Sequence, residues 1–351
     1  MKLSYQSYSL KFKTPGGTSR GILTEKETFL FRLQLEDKKE TEFFGEAALF
    51  RGLSAEDSPF YEEKLQWVCN QLSLYNEFST FVQDIWDELQ SFPSIQFALE
   101  QILQTYNQYA EKKLEDEFNP ILFSSDFTEG KKGIPINGLI WMGDINYMKE
   151  QIQKKLNQNF HCLKLKIGVD WEMEKSILND LRKEFAKQDL EIRVDANGGF
   201  NFNQAKVVLQ ELADLEIHSI EQPIKAGQIE KMAELCTNTP TPIALDEELI
   251  GVFTQAEKEK LIQKIKPQFI ILKPSLVGGW KGSQDWIDLV EKQHSGWWVT
   301  SALESNIGLN AIAQWTFMLN NVMPQGLGTG SLFKNNFHSR LKVIGNQLFR
   351  I

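Results

Sequence analysis

Leu3 to Phe12 alternates loosely between apolar and polar positions, and Gly21 to Glu36 repeats the pattern as GILTEKETFLFRLQLE. A period of two sends successive side chains to opposite faces, so both segments are expected as strands. Between them, Thr14-Pro15-Gly16-Gly17-Thr18-Ser19-Arg20 reads as a loop, because Pro and paired Gly punctuate it. That loop is either a surface turn or a mobile flap over a site. Phe43 to Leu49 (FFGEAAL) reads as a third short strand, broken by Gly45. From Ser58 to Leu89 the pattern turns helical, with WVCNQL and FVQDIWDEL as apolar faces. After Pro93, Ser94 is placed to cap a long amphipathic helix, IQFALEQILQTYNQYAEKKL. Strands followed by helices make the first 120 or so residues a small α+β unit.

After Gly130 the rhythm changes. Short apolar runs occur at Ile134–Trp141, His161–Ile167, Leu190–Ala196, Ile217–Pro223, Thr241–Glu247, Gln268–Pro274 and Gly296–Ser305, with a weak eighth near Asn321–Gly326. Amphipathic helical stretches such as MEKSILNDLRKEFAKQ, NQAKVVLQELADL and SQDWIDLVEKQH lie between them. The steps from Lys166 to Asp195, Glu221, Asp246, Lys273 and Ser301 are 29, 26, 25, 27 and 28 residues. Each step fits one strand, one helix and two loops. Eight such strands suggest a closed α/β barrel, with an open doubly wound sheet as the structural alternative. No GxGxxG opens any of these helices, which removes the usual dinucleotide signature. Leu341–Ile351 alternates again and is expected to return to the first unit as a strand.

Composition narrows the class. With 42% hydrophobic and 24% charged residues among 351, the chain is globular and long enough for about two domains. Phe and Trp are plentiful enough to fill a large core, so they are not read as a nucleic-acid platform. The formal charge of −9 gives no sign of a nucleic-acid partner. No apolar run is long enough to span a membrane, and the start MKLSYQSYSLKFKTP lacks a signal-peptide pattern. Cys69, Cys162 and Cys236 form no metal-type cluster, and an odd count makes a poor disulfide framework. A reducing, cytoplasmic setting is therefore expected. A homo-oligomer is compatible with the sequence, which does not fix the state.

Strands buried on both faces should be nearly all apolar, and five of these are not. Lys164 and Lys166 share one strand face, Asp195 and Asn197 another, and Glu221, Asp246, Glu247 and Lys273 end later strands. Taken singly, each is a solvated strand end or a turn cap. In a barrel, however, the strand C-termini converge on one mouth. Three carboxylates on neighbouring strands repel one another unless a cation sits among them. Hard oxygen donors without a His/Cys set suit Mg²⁺, with Mn²⁺ as the alternative, rather than zinc. Lysines on either side of such a cation suit removal of a proton α to a carboxylate, since one of them can act as base. Elimination and reprotonation both remain open at this level.

The ordered set resembles the enolase superfamily in its muconate-lactonizing subgroup. Lys164-Leu165-Lys166, Asp195-Ala196-Asn197, Glu221, Asp246, Lys273 in LKPSLVGG and Ser301-Ala302-Leu303-Glu304-Ser305 carry the resemblance. It implies a modified (β/α)₇β TIM-like barrel over residues 126–330. An N-terminal α+β capping domain over 1–125 would be completed by the C-terminal segment 331–351. It implies Asp195, Glu221 and Asp246 as Mg²⁺ ligands, Lys166 as base, Lys273 across the ring, and Lys164 lowering the pKa of Lys166. The flap would match the family's capping loop. Asn197, Ser301, Arg20 and Gly328 become candidate substrate contacts, although Arg20 also reads as a solvated loop residue.

Within the subgroup the chain is most similar to enzymes that eliminate water from 2-succinyl-6-hydroxy-2,4-cyclohexadiene-1-carboxylate in menaquinone synthesis. The alternative is a racemase or epimerase of N-acylamino acids or dipeptides. Dipeptide epimerases carry Asp-x-Asp at the eighth strand, where this chain has Pro324-Gln325-Gly326-Leu327-Gly328-Thr329-Gly330. A muconate cycloisomerase is a lesser alternative; His294 lies too early to be the seventh-strand histidine of mandelate-racemase relatives, and His161, His218 and His338 read as structural. A barrel retained only for binding would predict erosion of one of the five essential groups, and all are present. A small carboxylate substrate must then be drawn by local positive charge against the net charge of −9.

Overall fold

The computed structural model describes residues 1–36, 41–109, 114 and 116–351. Strands β1 (Lys2–Thr18), β2 (Gly21–Gln34) and β3 (Glu42–Ala47) form an antiparallel sheet in that order. The alternation seen in the sequence buries Phe29, Phe31 and Leu33 against helices α1 (Tyr61–Gln71), α2 (Phe78–Ile85) and α3 (Pro93–Tyr109). Gly45 does not break β3, contrary to expectation. A Cβ there would lie 2.1 Å from the carbonyl oxygen of Ala98, so glycine is what lets α3 lie against the sheet. The helix also begins at Pro93, one residue before the predicted cap. Ser94 is buried in the first turn against the Tyr61 hydroxyl, and Glu56 accepts its N–H at 2.9 Å. The predicted continuation over 110–113 lies outside the described residues.

Thr14–Arg20 is not an open loop. β1 and β2 run on as a hairpin, with a register break between Lys11 and Gly16, leaving Ser19 and Arg20 at the tip. The hairpin leans on the barrel: Gly17 bridges Met142, and a Cβ at Gly16 would meet the Trp141 ring at 3.0 Å.

β4 (Ile134–Pro135) precedes seven parallel strands, consecutive in space from β5 to β11: β5 (Gly138–Ile140), β6 (Cys162–Lys166), β7 (Glu191–Asp195), β8 (Ser219–Glu221), β9 (Ile243–Leu245), β10 (Phe269–Leu272) and β11 (Gly296–Val299). Helices α4 (Ile145–Asn157), α5 (Trp171–Glu184), α6 (Phe202–Asp214), α7 (Ile229–Asn238), α8 (Gln255–Ile265), α9 (Pro274–Val277), α10 (Gly279–Lys292) and α11 (Asn306–Met318) connect them or follow β11. Local signals explain several starts: Asp144 and Asp170 cap α4 and α5, and capping boxes at Asn201/Gln204 and Thr254/Glu257 open α6 and α8. The weak eighth strand is reduced to two residues. Gln325 bridges Ile136 and Gly326 bridges Thr300, both in parallel, so the first and last strands are joined and the barrel closes.

The C-terminal expectation needs correction. The stretch before the tail reaches the first sheet, where Phe333 bridges Phe12 and Asn335 accepts from Lys11 N, and Arg340 and Arg350 meet Asp116 and Asn119. The tail itself is a hairpin of β12 (Leu341–Ile344) and β13 (Gln347–Arg350), and β13 pairs with β4 rather than with the first sheet. Gly345 and the buried Leu348 explain the turn and the choice: the apolar side chain belongs to the barrel core.

Cap and barrel are fixed to each other by buried carboxylates at helix N-termini. Glu46 of β3 accepts from Ser305 N at 2.8 Å, Ser305 Oγ at 2.5 Å and Gly308 N at 2.9 Å, all at the start of α11. Glu100 of α3 accepts from Trp280 N at 2.5 Å and Lys281 N at 3.0 Å at the start of α10. The free N–H groups of a helix start favour such acceptors. Among the described residues no helix is long and apolar enough to cross a membrane.

Candidate active site

Strand register brings the predicted residues together. Lys166 pairs with Asp195 across β6 and β7, and Asp195 pairs with Glu221 across β7 and β8, so adjacent strand ends present them side by side. Lys166 Nζ donates to Asp195 Oδ2 at 2.6 Å and to Asn197 Oδ1 at 2.8 Å. Lys164 Nζ is 3.0 Å from Asp195 Oδ2 and pairs with Glu221 Oε2. Across the mouth, Lys273 Nζ pairs with Asp246 Oδ2 and stands 3.9 Å from Glu221 Oε1. All of these groups are buried or nearly so.

The charges order themselves by neighbour. Burial opposes ionisation of Asp195, but Lys164, Lys166 and Lys273 outweigh it and hold that carboxyl well below the ordinary range. Asp246 is likewise held low, Lys273 outweighing burial. Glu221 goes the other way: burial, then repulsion from Asp195, pushes its carboxyl well up. Burial would lower Lys164 and Lys273, yet the facing carboxylates raise both ammonium groups above their ordinary value.

The donor chemistry fits a hard divalent cation. Three carboxylates stand on successive strand ends, and the buried Oε1 of Glu221 has no hydrogen-bond donor, the Lys273 ammonium standing 3.9 Å away. A buried acceptor left so is costly unless something positive takes it up. Among the described residues no three acidic, His or Cys side chains are yet drawn around one point, since lysine ammonium groups lie between the carboxylates. The strand register nonetheless fixes the strand ends side by side, and the side chains they carry can turn toward one point.

A cavity of about 330 Å³ opens above this ring. Lys164, Lys166, Asp195, Asn197 and Lys273 form one side, and Ser301, Gly328 and Thr329 belong to another. Ser301 Oγ and Thr329 Oγ1 share a hydrogen bond of 2.6 Å. Gly326 is required beside them, because a Cβ there would fall 2.0 Å from Thr300 Oγ1. Arg20 lines the cavity but is not free for a ligand: it forms an ion pair with Glu247. Sequence reasoning noted Glu247 only as a strand end beside Asp246. It also passed over Lys13, Lys154 and Lys155, which line the cavity and have no carboxylate partner among the described residues. The Lys-Lys pair in α4 was visible in the sequence, but nothing there showed that the end of that helix borders the cavity.

Residues 147–344 match the family described as Enolase C-terminal domain-like. The chain is 42% identical to o-succinylbenzoate synthase of Desulfotalea psychrophila, over 99% of this chain and 98% of that one. The crystal structure of MenC from Desulfotalea psychrophila superposes with a TM-score of 0.84 at 39% identity, covering 99% of each chain. The L-Ala-D/L-Glu epimerase of Bacillus subtilis in complex with its substrate gives a TM-score of 0.82 at 19% identity, covering 100% of this chain and 96% of that one, a likeness of fold alone.

Proposed function

This chain belongs to the enolase superfamily, and from that premise we propose that it is a lyase that dehydrates 2-succinyl-6-hydroxy-2,4-cyclohexadiene-1-carboxylate to o-succinylbenzoate, with magnesium, as a cytoplasmic step of menaquinone synthesis. The observation that carries this reading over a dipeptide epimerase is the charge of the outer cavity wall. Lys13, Lys154 and Lys155 line it without a carboxylate partner among the described residues, whereas Arg20, Lys164, Lys166 and Lys273 are paired. That wall suits an anionic substrate arm, and the identity of 42% over 99% of the chain to an o-succinylbenzoate synthase favours dehydration over racemisation of an N-acylamino acid. A dipeptide's ammonium end would need an acidic partner, and the Gln325–Gly330 stretch offers none.

Asp195, Glu221 and Asp246 are the residues that would hold the magnesium ion, which when bound supplies positive charge against the ring carboxylate as negative charge builds there. Lys166 takes the proton from the α-carbon; the C–H electron pair moves toward the carboxylate and the ring. Lys273, from the opposite side of the mouth, stabilises that charge electrostatically. Lys164 sits beside Lys166 and faces the substrate carboxylate. The C–O bond then breaks on the face where Lys166 holds the proton, so proton and hydroxide depart as water and the ring becomes aromatic. The Ser301–Thr329 pair and the open face of Gly328 bound the succinyl arm, and Lys154 and Lys155 provide its counter-charge.

Purified protein with Mg²⁺ and the cyclohexadiene substrate should show aromatisation by ultraviolet absorbance. Absence of Mg²⁺-dependent turnover would sink the proposal. α-Proton exchange in deuterated water with N-succinylamino acids or dipeptides, and no dehydration, would establish the racemase or epimerase alternative instead.

A further inference from the structure

The hairpin tip and the proposed base are joined by an unbroken line of polar contacts. Arg20 Nη1 forms an ion pair with Glu247 Oε1. The same oxygen accepts from Asn197 Nδ2 at 2.9 Å, and Asn197 Oδ1 accepts from Lys166 Nζ at 2.8 Å. Ser19, beside Arg20, donates from Oγ to the backbone carbonyl of Asn197 at 3.3 Å. The amide of Asn197 can face only one way here. Its carbonyl accepts from Lys166 Nζ and its NH₂ donates to the carboxylate, which can only accept. Asn197 holds this pose from a left-handed backbone at φ 43°, with its own N–H on Asp195 Oδ1 at 3.1 Å.

Exposure is graded along the line. The Arg20 side chain is 35% exposed and that of Glu247 11%. The outer member stands on the hairpin tip, whereas the inner members stand at the barrel strand ends. Without Arg20, Glu247 would keep a buried carboxylate beside Asp246 lacking its cationic partner, and the acceptor that orients Asn197 would be free to turn.

We propose that Glu247 is a positioning residue that couples the hairpin tip, through Asn197, to the orientation of Lys166. The proposal rests on Lys166 being the base. It gives Arg20 an indirect part in the reaction: Arg20 sets the base through Glu247 and is not the group that grips the substrate anion.

The test compares wild type, Arg20→Ala, Glu247→Gln, the double variant and Arg20→Lys, using protio substrate and substrate deuterated at the α-carbon. Misplacement of a base by a fraction of an ångström predicts a fall in kcat of about 10–100-fold for Glu247→Gln, with KM changed less than about threefold. The deuterium isotope effect on kcat should rise, because proton removal becomes slower than the other steps. A merely structural loss would leave it unchanged. Arg20→Ala should fall by less, the double variant should match Glu247→Gln, and Arg20→Lys should recover part of the loss. Multiplicative losses in the double variant overturn the proposal, as does a rise in KM with kcat and the isotope effect unmoved. A kcat restored by excess Mg²⁺ overturns it too, since Glu247 would then act through Asp246. Failure of the underlying reading is separate: wild type would not turn over the substrate, or Lys166→Ala would retain activity.

Discussion

Two sets of buried carboxylates divide the work of this molecule. Glu46, Glu56 and Glu100 sit at the N-termini of α11, α3 and α10, where backbone N–H groups donate to them. Asp195, Glu221 and Asp246 sit at the C-termini of strands, where they meet one another and three lysines. Burial is comparable at Glu46, Glu56 and the mouth groups, but the partners differ in kind. A backbone N–H is neutral, fixed and cannot be exchanged, so a helix start can only hold the fold. A lysine ammonium can swing, lose a proton or yield its place, so the strand ends keep chemistry available. Glu46 has donors on both oxygens, whereas Glu221 meets lysine on one oxygen and has no hydrogen bond on Oε1. The mouth is the place where stability is given up for reactivity.

The largest expected effect lies at the mouth. Lys166→Ala should lower turnover by about 10²–10⁴-fold, the usual worth of a general base. Mg²⁺ affinity, measured by calorimetry, should stay nearly unchanged because the three carboxylates remain. Retained turnover would move the base elsewhere, with Lys273 as the next group to replace. A paired experiment then sets the two regions against each other. Glu46→Gln keeps the side chain's shape but turns one acceptor oxygen into a donor facing other donors. It should cost about 2–4 kcal/mol in chemical denaturation, with the remaining folded enzyme still active. Glu221→Gln should do the reverse, abolishing turnover while the thermal midpoint in metal-free buffer holds, since burial and Asp195 already disfavour the charged form of Glu221 and the amide keeps its shape. Equal destabilisation by both would erase the distinction.

How much of this the sequence shows depends on the range of the contacts. The βα rhythm, the strand-end charges and the Asp195–Glu221–Asp246 order are local patterns repeated along the chain, and the structure brings them to one mouth. Gly45 read as a break because its reason is Ala98, far along the chain. Pro15 and the paired Gly16 and Gly17 read as a loop, yet the hairpin continues because it rests against Trp141 and Met142. The Leu341–Ile351 alternation correctly signalled strands but carried no address, and β4, a two-residue strand, took the pairing. Arg20 and Glu247 are 227 positions apart, and no spacing rule links them. Ser94 was misread as a cap because Glu56, which accepts its N–H, lies outside any capping-box distance.

The smallest effect asks whether every helix-capping carboxylate is held as an ion. Burial pushes the Glu56 carboxyl up to about 7, against the lowering effect of the Ser94 hydrogen bond, and its Oε2 has no partner. Its pKa in the fold therefore exceeds that in the unfolded chain. Between pH 4.5 and 7 the folded protein keeps a proton that the unfolded chain has lost. The stability that neutral Glu56 contributes is thus complete below the unfolded pKa and is lost as pH rises through the folded one. Glu56→Gln cannot titrate yet can still accept the Ser94 N–H. Its unfolding free energy relative to wild type should rise by roughly 3 kcal/mol across that window, the scale set by about two and a half pKa units. Taking the difference removes the titration of every group the two proteins share. A flat difference would show that one backbone N–H at a helix start is enough to keep a buried carboxylate charged. A rising one would show that it is not, so that a helix-capping carboxylate with a single donor holds its proton across that window.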